Sequence, residues 1–184
     1  LGMIDDQPIN LSLCRDAVLG GLWAVAAGFI VLGLLPFIER FFGVALAEAP
    51  KATVYSPVSF PAEFGRKARE AGAETRAVDK PLEICRNVHL TGEMGDRFKE
   101  TSLVLDTPEG LIVVTGCSHP GIVDTLKRAK EIRNKPIRLV FGGFHLGNAP
   151  DAEVQKIISA FKELEVERGG ATQCTGDGPT ARFK

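Results

Sequence analysis

From Ala17 to Ile38 the chain has no charged residue, and beyond residue 50 it changes to an alternation of short apolar runs and amphipathic stretches. The second pattern predicts elements in a clear order. "ATVYSP" at 52–57 reads as a strand ended by Pro57, and "PAEFGRKAREAGAE" at 61–74 as a helix with Pro61 in its first turn. "NVHLTGE", "TSLVLDT" and "GLIVVTG" follow as strands, with "PEG" at 108–110 joining the last two in a hairpin. Ile122, Val123, Leu126, Ala129 and Ile132 share one face of a helix over 121–132. "IRLVFGG" at 137–143 is a buried strand ending in two glycines. In 151–166, Asp151 is the expected N-cap, and Val154, Ile157, Ile158, Phe161 and Leu164 form an apolar stripe. "GGATQCTGDG" closes the chain with a short strand and a glycine-rich turn. A hairpin followed by strand–helix–strand–helix–strand implies a mixed sheet with helices on its outer faces.

The apolar run at 17–38 admits three readings. Its length is close to the roughly 20 residues that span a bilayer. A helix buried on every side is equally apolar. A signal h-region, with "ALAEAP" at 45–50 as a small-residue cleavage site, is the third. The segment is thus expected to be a core helix, a membrane contact or a contact between copies of the chain.

Length and charge narrow the rest. A chain of 184 residues fits one domain, 1–184. Twenty-two Lys and Arg against 23 Asp and Glu leave no basic stripe, so nucleic acid is not an expected partner. The four cysteines, Cys14, Cys85, Cys117 and Cys174, form no CxxC pair, which indicates reduced thiols and a cytoplasmic setting, with membrane association through 17–38 as the alternative. Cys14 and Cys85 read as small buried hydrophobes.

Candidate chemistry sits in three glycine-flanked loops at strand ends: "TGCSHPG", "GGFHLGN" and "QCTGDG". They carry His119, His145, and Gln173 with Cys174. Separate strand ends each delivering one donor is the layout of a metallohydrolase, in which a bound ion activates water. A catalytic zinc takes about three protein ligands. His119 and His145 supply two; Gln173 offers only an amide oxygen, and Cys174 or Cys117 a thiolate. His89, inside a strand, reads as a structural residue facing solvent or a neighbouring strand.

"HLTGE", "SLVLDTPEGLIVVTGCSHPGIVDTLKRA", "FGGFHL" and "QCTG" together resemble the metallo-β-lactamase superfamily over roughly residues 82–184. The nearest branch is that of the dihydropterin–ribofuranosylaminobenzene phosphate synthases. The resemblance implies an α/β fold, the αββα sandwich with mixed sheets, whose metal lies at the edge between the sheets. It places His119 on a metal-ligand histidine, His145 on a site-facing histidine, and Gln173 where the branch has the histidine of "HCTG". The family's HxHxDH loop aligns with "LSLCRDAVLGGL" at 11–22, where Leu13, Arg15, Ala17 and Val18 replace all four ligands. Arg15 brings a permanent positive charge that repels a divalent ion. The chain starts just before this loop, which implies an N-terminally truncated fold lacking the first strands.

The expected function is that of the metal-dependent hydrolase class with a depleted site. A non-catalytic binding protein of the same fold and a pterin-related transferase are the alternatives. The expected cofactor is a divalent ion, zinc before manganese or iron, held by His119 and His145 with Gln173, Cys174 or Cys117 nearby. A small-molecule substrate is the expected partner, and Thr175, Gly176 and Asp177 are expected to help position it.

Overall fold

The computed structural model describes residues 52–183, so the apolar run at 17–38 and the loop at 11–22 lie outside the described residues. Four layers stack on one another. Helix α1 (Ala62–Glu70) covers a two-stranded parallel sheet of β1 (Thr53–Pro57) and β2 (Glu74–Val78). Behind it lies a six-stranded sheet in simple sequence order: β3 (Leu82–Cys85), β4 (Val88–Leu90), β5 (Leu103–Thr107), β6 (Gly110–Val114), β7 (Ile137–Gly142) and β8 (Gly169–Ala171). Helices α2 (Ile122–Ile132) and α3 (Asp151–Glu163) cover its far face. This is an αββα sandwich with open, mixed sheets.

Alternation along the strands builds the three interfaces between layers. Val54 packs with Ala68 and Ala73 under α1, whereas its neighbour Tyr55 turns the other way and meets Val78, Val88, Leu90 and Leu103 between the sheets. Val104, Leu111, Val113 and Val140 face α2 and α3, where Ile122, Leu126, Phe144 and Phe161 complete the largest core. The stripes read from the sequence are therefore the buried faces of α2 and α3.

The expected hairpin is present: β5 and β6 pair antiparallel, with Thr107 opposite Gly110. Several boundaries differ from the sequence reading. The helix from residue 61 stops at Glu70, because Gly72 at φ +93° reverses the chain. Residues 74–78 then become β2, a strand whose exposed positions hide its alternation. β3 was equally illegible; it is a partly exposed strand turned back into β4 through Asn87 at φ +65°. Pro150 occupies the N-cap of α3, and Asp151 starts the helix and accepts a hydrogen bond from Arg182 at 2.7 Å. The glycine-rich end coils into α4 (Asp177–Arg182). Cys85, expected as a buried thiol, is disulfide-bonded, while Cys117 and Cys174 are free. Among the described residues no helix is long and apolar enough to cross a membrane.

His89 does not face solvent. It is 3% exposed, on the helix-covered face of β4, and its Nε2 has no hydrogen-bond partner among the described residues. Desolvation, with Arg133 second, holds its pKa below the ordinary value, against the pull of Glu83 and Asp106. A histidine kept neutral in the fold binds its proton more readily when unfolded. Its contribution is present above about pH 6.5, the unfolded value, and is lost as pH falls through the lowered folded value. Urea titrations between pH 7.5 and 5 should therefore show stability declining toward acid. His89→Leu, which removes an unpaired buried nitrogen, should flatten that decline with little or no loss at pH 7.5.

Candidate functional site

Pairing direction decides which loops meet. β6, β7 and β8 are mutually parallel, so the segments after all three emerge at the same edge of the sheet. These are the segments holding His119, His145 and Cys174. β5 runs antiparallel to β6, so the residues before β5, Glu100 to Ser102, reach that edge as well.

The loops approach closely because β7 ends in glycine. A Cβ on Gly142 would lie 2.1 Å from the Thr115 carbonyl oxygen. One on Gly143 would lie 2.6 Å from Cys174 Sγ and 2.8 Å from Gly116 O. The Gly143 N–H donates to Gly116 O at 2.7 Å, and the Cys174 thiol donates to Cys117 O at 3.7 Å. The three loops are thus tied directly to one another.

The histidines come together in that cluster. The His119 and His145 ring centroids are 4.4 Å apart, and Phe98 flanks His119 on another side at 4.9 Å. His119 is partly buried, whereas His145 is exposed and held at φ +52°. Beside His145 opens a pocket of about 320 Å3, lined by Gly147, Asn148, Ala149, Glu153 and Cys174. Glu100, absent from the expected site, contacts His119 Nδ1 through Oε1 and accepts from the Ser118 N–H at 3.0 Å through Oε2. Nothing in its immediate sequence marks it, because the antiparallel step from β5 to β6 alone brings it there.

A chain of buried hydroxyls supports the floor. Ser102 donates to Thr115 at 3.2 Å, Thr115 and Ser118 share a hydrogen bond at 2.8 Å, and Ser118 donates to Gly143 O at 2.8 Å. These bonds hold Ser118 at φ +58°, a left-handed conformation that an unrestrained serine seldom adopts.

The remaining expected residues divide. Cys117 is 2% exposed, and burial, reinforced by its hydrogen bond with Cys174, pushes its thiol pKa well up, which keeps it protonated. Thr175 is fully buried, with its hydroxyl accepting from the Phe144 N–H at 3.0 Å. Gly176, at φ +81°, turns the chain into α4, and Asp177 is exposed at the start of that helix. Gln173 lies in a single 3-10 turn running to Thr175.

No protein-family model matches the chain. The crystal structure of Tm1679, a metal-dependent hydrolase of the β-lactamase superfamily, superposes with a TM-score of 0.60 at 27% identity, covering 75% of this chain and 66% of that one. The fold is that of the metallo-β-lactamase superfamily. Within it, the chain is homologous to the 7,8-dihydropterin-6-methyl-4-(beta-D-ribofuranosyl)-aminobenzene-5'-phosphate synthase of Methanocaldococcus jannaschii, with 41% identity over 78 residues. That match takes in 42% of this chain and about a quarter (26%) of the synthase. An uncharacterized protein of the same organism is 39% identical over 54 residues, which is 29% of this chain and 20% of that protein.

The donors can be set against the metal that this superfamily implies. His119 and His145 are two imidazoles, one short of the three protein ligands of a catalytic zinc. Among the described residues no group of three or more His, Cys, Asp and Glu side chains could hold an ion. The described residues alone therefore fall short of the ligand set of a catalytic zinc. The packing of the loops is open to a direct test. Gly143→Ala should destabilise the protein by about 1–3 kcal/mol, because both the Cys174 side chain and the Gly116 carbonyl would have to move. Thermal denaturation measures the loss, and histidine ring NMR signals should shift with it.

Proposed function

We propose that the chain is a small-molecule-binding relative of the pterin-synthase branch, with the His119–His145 pair and the adjoining pocket as its ligand site. The supporting observation is the contact of His119 with His145, which itself lines the pocket, in a chain 41% identical over 78 residues to that synthase, without a third metal donor among the described residues. The ligand class carried over from the synthase is a 7,8-dihydropterin. The site has suitable chemistry for such a heterocycle. Imidazole nitrogens accept or donate single hydrogen bonds, Asn148 offers an amide, and Glu153 accepts from ring N–H groups. A neutral imidazole beside a bound ring can also move a proton to or from it, which is the chemical step available to these residues. A metal-dependent hydrolase is the second reading, favoured by the 27% identity to Tm1679 across 75% of the chain.

Titration of the full chain with a 7,8-dihydropterin, followed by calorimetry, should show saturable binding that His145→Ala weakens about tenfold, the loss of roughly one good hydrogen bond. Metal analysis of protein purified without chelators should find less than one equivalent of zinc, manganese or iron, unchanged by His119→Ala. Stoichiometric metal that disappears in His119→Ala would establish the hydrolase reading instead.

A further inference from the structure

Glu100 is the one acidic side chain that is buried among the described residues, 6% exposed. An ionised carboxylate out of water is costly unless every lone pair it turns inward meets a donor. Here the donors are specific. Oε2 accepts from the Ser118 N–H at 3.0 Å, Oε1 from the His119 N–H at 3.4 Å, and Oε1 also meets the His119 ring at Nδ1. The first of these bonds requires the left-handed turn at Ser118, which is itself held by the hydroxyl chain to Thr115 and Gly143. Three separate arrangements thus converge on one carboxylate and one imidazole.

The geometry points to Glu100 as the positioning residue of this site: it fixes the neutral His119 ring as its Nδ1–H tautomer, so that Nε2 presents a lone pair to the ligand. An ionised carboxylate only accepts hydrogen bonds, so the atom facing it must carry the proton. In a neutral imidazole the other nitrogen is then bare. The ligand chemistry follows: a group that donates a single N–H or O–H, such as a ring N–H, is accepted, whereas a carbonyl or phosphate oxygen at that nitrogen is refused. This inference rests on the His119–His145 pair being the ligand site, but the tautomer can be read without any ligand.

The test uses the full chain with 15N-labelled histidine at pH 8, where an ordinary imidazole is neutral. Long-range 1H–15N correlations, with His119 assigned by its absence in His119→Ala, should show Nδ1 protonated and Nε2 bare. Glu100→Ala, which removes the acceptor altogether, should release the proton to Nε2, the nitrogen that an unrestrained neutral imidazole prefers to protonate. The same variant should bind the 7,8-dihydropterin about tenfold more weakly. A wild-type His119 protonated at Nε2, or a tautomer unchanged in folded Glu100→Ala, overturns the inference. Should Glu100→Ala fail to fold, the wild-type tautomer alone decides. The expected tautomer in a chain that binds no dihydropterin overturns the proposed ligand and leaves the role of Glu100 standing.

Discussion

Parallel pairing of β6 with β7, and of β7 with β8, is the constraint on which the site depends. Each parallel step needs a crossover helix, and α2 and α3 supply the two crossovers on the same face of the sheet. Three strand ends are thereby sent to one edge, and the loops that leave them have to share the space there. Gly142 and Gly143 make that sharing sterically feasible, since side chains at either position would collide with backbone of the β6–α2 loop. The histidines, the two free thiols and the pocket are consequences of that convergence.

The polar floor answers a second requirement. Close loops leave buried N–H and C=O groups that need partners. Ser102, Thr115 and Ser118 provide them as a continuous chain ending on the Gly143 carbonyl, and Thr175 does the same for the Phe144 N–H. Rigidity follows, because neither Thr115 nor Ser118 can rotate without breaking two bonds. His89 shows the contrary case within the same sheet: buried equally well, opposite Val104 on β5, it has an unpaired nitrogen among the described residues and takes no part in this floor. Its burial is a matter of stability, whereas that of Glu100 is tied to the imidazole it holds.

Similarity within the superfamily and the donor set lead in different directions. The fold is one used by metal-dependent hydrolases, yet the described residues bring together two imidazoles and a thiol that burial keeps protonated. A fold positions loops; which chemistry the loops carry is decided by their side chains. The pterin-synthase homology covers 42% of the chain and only about a quarter (26%) of that enzyme.

The sequence by itself determined the strands with strong alternation, the two crossover helices with their apolar stripes, the β5–β6 hairpin and the three loops bearing His119, His145 and Cys174. Those features are local, written in periodicity and in glycine placement. β2 and β3 were not legible, because partly exposed strands lack a clean apolar face and are defined by the partner they pair with. Glu100 and the hydroxyl chain could not be read either. A glutamate before a strand and scattered Ser and Thr residues have no spacing that marks them. Only tertiary structure decided that Glu100 lies under His119, since that contact joins residues 19 positions apart through an antiparallel turn and a strained serine. The same holds for the 4.4 Å between the histidine rings, which the parallel sheet sets and no local pattern records.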